Sequence, residues 1–89
     1  MANHKSALKR ARQSEIKRLI NVSYKTRTKK AVKDVRLSIA DNAEDQATEN
    51  LRKATSIIHK SASKGIIHRR KASRKISRLA RQLNQIASS

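Results

Sequence analysis

Six acidic residues stand against 23 Lys and Arg in this 89-residue chain, which has no cysteine, no proline, one glycine and one aromatic side chain. Each shortage removes a class of function. Without cysteine there are no disulfides, no thiolate metal sites and no thiol nucleophile. One glycine, Gly65, cannot build a Walker motif or a glycine-rich phosphate loop. A single Tyr, Tyr24, cannot supply the aromatic platform on which RRM sheets and OB folds stack bases. The histidines His4, His59 and His68 are far apart and lack metal-ligand spacing, so no metal or other cofactor is expected. Paired carboxylates occur only where a helix cap explains them, and no catalytic residue is expected. No apolar run reaches the length of a membrane span and there is no signal-peptide apolar region. The acid-poor basic start is compatible with a transit peptide, but it continues without a break into equally basic sequence.

What is present is positive charge, a formal +17. Self-repulsion at this density opposes folding, so the charge calls for a polyanionic partner. It is unevenly spread. Asp41, Glu44, Asp45 and Glu49 lie within nine residues, while the last forty residues hold eleven Lys or Arg and no acid. Leu, Ile and Val total only 18 of 89, near the level at which highly charged chains fail to fold alone. The apolar core is therefore small, in a single domain spanning 1–89.

The near-absence of helix breakers, with abundant Ala, Lys, Arg and Ile, predicts an all-α fold. Helices are expected at about 3–40, 43–64 and 68–87. The first starts from Asn3 or Ser6 as N-cap, and its apolar stripe is Ile16, Ile20, Tyr24, Thr28, Ala31, Val32, Val35 and Ile39. Asp41 and Glu44 have capping-box spacing for the second helix, whose seam is Ala47, Leu51, Ala54, Ile58 and Ala62. Gly65 suits a left-handed C-cap, with Ile66 making the accompanying apolar contact. In the third helix Ala72, Ile76, Leu79, Leu83 and Ile86 repeat at four, three, four and three. That is the seam of an up-down-up three-helix bundle.

Length adds a further expectation. A first helix of about 37 residues reaches about 55 Å, and partners of about 20 residues reach about 30 Å. The overhang is the cation-rich N-terminal half, a shape suited to entering folded nucleic acid. Three cationic groups then become candidate nucleic-acid contacts. Asn3, His4, Lys5, Ser6, Lys9, Arg10 and Arg12 combine charge with amide and hydroxyl donors for phosphate and ribose. Lys25, Lys29 and Lys33, with Arg36, recur along one side of the first helix. His68, Arg69, Arg70 and Lys71, followed by Arg74, Lys75 and Arg78, crowd the start of the third helix with no acid at i+4. Cations there oppose the helix macrodipole, and phosphates would reverse that penalty.

Both ends resemble the bacterial small-subunit ribosomal protein S20 family. The segment from Ala2-Asn3-His4-Lys5-Ser6-Ala7-Leu8 to Glu15 is similar to that family's opening. Lys64-Gly65-Ile66-Ile67-His68, Lys71-Ala72-Ser73-Arg74-Lys75 and Ser77-Arg78-Leu79 are similar to its C-terminal signature. Arg70 stands where the family often has Asn, which suits a phosphate contact better than an amide one. The resemblance implies a non-enzymatic three-helix bundle that binds small-subunit ribosomal RNA and stabilises its folding and helix packing. It implies RNA contacts from the long first helix and the start of the third. Other ribosomal components are possible further partners; no membrane, no small-molecule substrate and no homo-oligomer is expected. The implied location is the bacterial cytoplasm, in the ribosome, or an organellar ribosome for a plastid-encoded chain. The alternative from another class is a histone-like DNA-compacting protein, equally small, basic and helical. A membrane-active peptide would need a strongly apolar face on an isolated helix, whereas these seams belong to a bundle.

Overall fold

With no proline to interrupt it, the chain from Ala2 onward forms one unbroken helix, α1 (Ala2–Ala40). The computed structural model describes residues 2–87, with side chains for residues 4–87. Two shorter helices follow, α2 (Glu44–Ser63) and α3 (Arg69–Ala87), and no strand occurs among the described residues. They form the expected up-down-up bundle, drawn out into a rod with extents of 69 × 21 × 13 Å. Because α1 already includes Ala2, neither Asn3 nor Ser6 is its N-cap.

The connection from α1 to α2 differs from the capping box expected at Asp41. Asp41 instead prolongs α1, its N–H donating to the Leu37 carbonyl at 3.0 Å. The chain leaves the helix at Asn42, whose φ of 54 places it in the left-handed region. Its N–H donates to Ile39 O and that of Ala43 to Ser38 O, both at 3.0 Å. This is a Schellman motif with Asn in the special position, and Asn tolerates it better than other non-glycine residues. The N-cap of α2 is Ala43, without a side-chain cap. Glu44 and Asp45 in the first turn favour the helix through its macrodipole rather than through a box.

The α2–α3 turn repeats the device with glycine. Gly65 has φ of 75, its N–H donates to Ala62 O at 3.0 Å, and the Ile66 N–H donates to Ser61 O at 2.9 Å. A β-carbon at Gly65 would meet nothing within 4 Å, so glycine is required by backbone conformation alone. His68 then starts α3: its Nδ1 accepts the Arg70 N–H at 3.1 Å, satisfying one of the unpaired amides of the first turn.

α2 lies at the centre of the packing and α1 packs chiefly on it. Ala47, Ala54 and Ser61, each seven residues from the next, are fully buried along α2. Small side chains at that period let the helix backbones approach closely. Ser61 therefore takes the seam position expected of Ala62, which is only half-buried. A hydroxyl is admitted because it is satisfied: Ser61 Oγ donates to the Ile57 carbonyl at 2.9 Å and lies 3.2 Å from Thr28 Oγ1 on α1. Having spent its one hydrogen on Ile57, Ser61 accepts from Thr28. Nearer the α1–α2 turn, Asn50 Nδ2 donates to Ser38 Oγ at 2.7 Å. Val35, Ala54, Ile58, Ala72 and Leu79 form the core proper. Ile16 and Ile20, expected on the packed stripe, are 51% and 46% exposed, because α2 ends before it reaches them.

Two substitutions check this account by thermal melting. Gly65→Val should destabilise the bundle by about 1–2 kcal/mol, and Gly65→Asn by distinctly less, since only the left-handed backbone is at stake. An unchanged melting temperature for Gly65→Val would refute the requirement. Ala54→Leu should cost about 1–3 kcal/mol by forcing α1 and α2 apart. A variant as stable as the parent would show that the close approach is dispensable.

Candidate nucleic-acid interface

The end of α2 decides where α1 becomes free. Lys64, just past that end, places its ammonium 5.5 Å from the centroid of the Tyr24 ring, and the Arg27 guanidinium lies 5.5 Å from the same ring. Tyr24 is half-buried, at the edge of the bundle, as its place on the apolar stripe suggested. Upstream of it, every residue from 4 to 23 is exposed. At 1.5 Å per residue this is a free helical arm of about 30 Å.

The arm carries His4, Lys5, Ser6, Lys9, Arg10 and Arg12, all exposed; the side chain of the expected contact Asn3 lies outside the described residues. Lys5, Lys9 and Arg12, at spacings of four and three, share one side. Arg10 and Lys17 border a hollow of about 480 Å³ with Gln13 and Ser14 on another. Leu8, Ile16 and Leu19 are interspersed, exposed by 65%, 51% and 54%. Leu8, Ile16 and Leu19 fall on one side of the arm, but Lys5 and Arg12 lie among them, so that side is not purely apolar. Its one acid is spoken for. Glu15 accepts two hydrogen bonds from Arg18, at 3.1 Å from Nε and 2.6 Å from Nη2. That fork lowers the Glu15 carboxyl below its ordinary range and raises the Arg18 guanidinium.

The second and third cationic groups, distant in sequence, partly converge. Lys29 and Lys33, with Arg36, form one wall of a groove of about 340 Å³ between α1 and α3, and Lys75 of α3 forms the other. Val32 and Leu37 add apolar surface, Leu37 being 54% exposed. Lys25 is exposed further up α1 and is not part of the groove. At the start of α3, Arg69, Arg70, Ser73 and Arg74 line an open concavity of about 610 Å³. Lys71 and Arg78 are exposed beside it without lining it. Ala72, Leu79 and Leu83 are buried, so the Arg70, Arg74 and Arg78 ridge faces away from the core. His68 acts first as a cap; acceptance at Nδ1 puts the ring proton on Nε2, which remains a donor.

The α2–α3 turn sits against Tyr24, so the cationic start of α3 lies where the arm leaves the bundle. Asp41, Glu44 and Asp45 lie at the α1–α2 turn, the opposite end. Besides Glu15–Arg18, the other ion pair among the described residues is an exposed 3.9 Å contact between Glu49 and Arg52. The remaining cations of the arm and of α3, exposed except for the half-buried Lys75, have no carboxylate partner among the described residues.

The chain that builds this long cationic arm and three-helix bundle is similar in sequence to known proteins. The family model for ribosomal protein S20 matches residues 2–84. This chain belongs to that family. The small ribosomal subunit protein bS20 of Desulfatibacillum aliphaticivorans is 53% identical over 87 residues, covering 98% of this chain and 99% of that protein. That of Desulfovibrio desulfuricans is 54% identical over 86 residues, covering 97% of each. That of Syntrophobacter fumaroxidans is 48% identical over 86 residues, covering 97% of this chain and 100% of that protein.

Sequence reasoning passed over Arg27, Lys30, Lys53 and Lys64. None was an expected contact, although Lys30 adjoins Lys29 and Lys64 lies in the segment that carries the family resemblance; only the packing of α1 on α2 gathers them.

The arm's exposure generates a prediction for amide hydrogen exchange. A helical segment without tertiary contacts and with like charges at i, i+4 is marginal in water. Amides of residues 5–20 should exchange rapidly in the free protein, while those of 28–39, 51–61 and 72–83 are protected. Strong protection of 5–20 in the free monomer would overturn the description of the arm as unpartnered.

Proposed function

We propose that this chain is a structural component of the bacterial small ribosomal subunit. It binds small-subunit ribosomal RNA directly and, as one domain over residues 1–89, stabilises the packing of RNA helices. The observation that carries this reading is the unpartnered cationic arm, exposed from residue 4 to 23, with the cationic start of α3 at its base. A rod of this shape presents charge in depth, along an arm that RNA can surround. Cations occur on every side of the arm and break up its apolar side, which suits phosphates and ribose faces on several sides better than one flat protein or lipid surface. The relatives' name, small ribosomal subunit protein, supports the same assignment.

In this reading the arm supplies His4, Lys5, Ser6, Lys9, Arg10 and Arg12, with Asn3 beside them. The α1–α3 groove supplies Lys29, Lys33 and Lys75, with Lys25 nearby, and the start of α3 supplies His68, Arg69, Arg70, Lys71, Arg74 and Arg78. The role is neutralisation and bracing rather than chemistry. The protein acts as a monomer within the ribosome of the bacterial cytoplasm.

Competition at physiological salt tests it. Labelled protein should be displaced by a small-subunit ribosomal RNA transcript far more effectively than by duplex DNA of equal phosphate content. The affinity should fall with salt at a log–log slope of about −0.7 to −0.9 per phosphate neutralised. Equal competition by DNA would favour the histone-like alternative, and a slope near zero would dismiss phosphate neutralisation altogether.

A further inference from the structure

The cations that periodicity missed lie along one line. Ile20, Ser23, Arg27, Lys30 and Asp34 follow one another on α1 at spacings of three, four, three and four, which keeps them on one face. Arg27 lines two hollows at once. One, of about 420 Å³ at the base of the arm, is shared with Ile20, Ser23, Tyr24 and Lys64. The other, of about 270 Å³, lies between α1 and α2 and is shared with Lys30, Ala31, Lys53 and Ile57. Joined through Arg27, they make a continuous track of about 21 Å from Ile20 to Asp34. None of its residues belongs to the α1–α3 groove, from which it is separated by the buried line of Thr28 and Val35.

The chemistry of the track is that of a nucleic-acid backbone site. The track holds four cations, Lys64, Arg27, Lys30 and Lys53, and a single carboxylate, Asp34. Ile20, Ala31 and Ile57 give it an aliphatic floor. Arg27 is held in place against the Tyr24 ring. The one amide in the track is not free to read bases. Asn50 Nδ2 donates to Ser38 Oγ at 2.7 Å, and its Oδ1 accepts from Gln46 Nε2 at 3.1 Å. Charge complementarity thus selects a polyanion, and the committed amide selects its backbone over its sequence.

We propose that this track seats a strand of RNA, with phosphates at Arg27, Lys30, Lys53 and Lys64 and sugars against the aliphatic floor. The strand is a different one from that on the α1–α3 groove, so the bundle is gripped on both sides of α1. The inference rests on the RNA-binding role proposed above and adds a second, separate site to it.

The test uses the full chain and a small-subunit ribosomal RNA transcript at physiological salt. Lys30→Ala/Lys53→Ala removes two exposed cations from the track, and Arg52→Ala/Lys60→Ala removes two exposed cations of α2 that do not line it. Circular dichroism of each variant confirms the fold. The track variant should bind about tenfold more weakly, with a salt slope shallower by about 1.4–1.8; the charge-matched variant should change by less than about threefold. Because the chain lacks cysteine, Ser23→Cys in the track and Leu37→Cys in the α1–α3 groove can each carry a tethered iron chelate for hydroxyl-radical cleavage. The two positions should cut separate RNA segments, and the cuts from position 23 alone should vanish in the Lys30→Ala/Lys53→Ala background. Equal losses for the two charge-matched variants would reduce the track to diffuse charge and overturn the proposal. So would absence of cuts from position 23 beside intact cuts from position 37, the result expected if a protein covers the track. Parent protein that fails to bind the transcript would overturn the RNA-binding role itself, along with this site.

Discussion

The packing of α2 on α1, with Ala47, Ala54 and Ser61 fully buried along α2 and Ser61 against Thr28, is the constraint on which the other features rest. With few large apolar side chains available, the bundle relies on small buried side chains and on interhelical polar contacts, Thr28 with Ser61 and Asn50 with Ser38 and the Asp34 carbonyl. These contacts set the axial register of α2 on α1, since a buried hydroxyl or amide displaced from its partner is left unsatisfied. Register in turn places the C-terminus of α2 at Tyr24. From that single placement follow the length of the free arm, the position of the α2–α3 turn and the proximity of the cationic start of α3 to the arm's base.

The same molecule divides its surface by charge because folding and binding make opposite demands. Folding favours acids near cations, and the acids cluster at the α1–α2 turn, where they favour the start of α2. The arm and α3 are left without such relief, apart from Arg18 on Glu15. A stretch of helix with repelling charges and no packing has little reason to persist in water by itself. Its cost is offset only when a polyanion supplies both the counter-charge and the surface, so the segment least supported by the fold is the one most committed to the partner.

Several features were legible in the sequence for identifiable reasons. Gly65 was readable because one residue type satisfies a left-handed turn at a helix end without strain. The seam of α3 was readable because Ala72, Leu79 and Leu83 carry it with strictly apolar side chains. The Arg70, Arg74 and Arg78 ridge followed from the same period on the opposite face. Asn42 was missed because the neighbouring Asp41 and Glu44 have capping-box spacing, and a Schellman exit from α1 competes for the same residues. Ser61 was missed because a polar residue is buried only if its partners exist, and those partners, Thr28 across the interface and the Ile57 carbonyl, are defined by packing. Ile16 and Ile20 were misplaced because a stripe records what a helix is able to bury, whereas burial also needs an opposing helix that extends far enough.

Local chemistry therefore determined the all-α class, the number of helices, the excess charge and its direction along the chain, since propensity, turn residues and ionisation act within a few residues. The tertiary structure alone decided where the arm begins, which cations converge and that Lys29 and Lys33 share a groove with Lys75. It alone assembled Arg27, Lys30, Lys53 and Lys64 into one track. Those outcomes depend on the axial register and rotation of one helix against another, which are set by the shape of a buried interface and by polar contacts across it. No periodicity within a single helix encodes them.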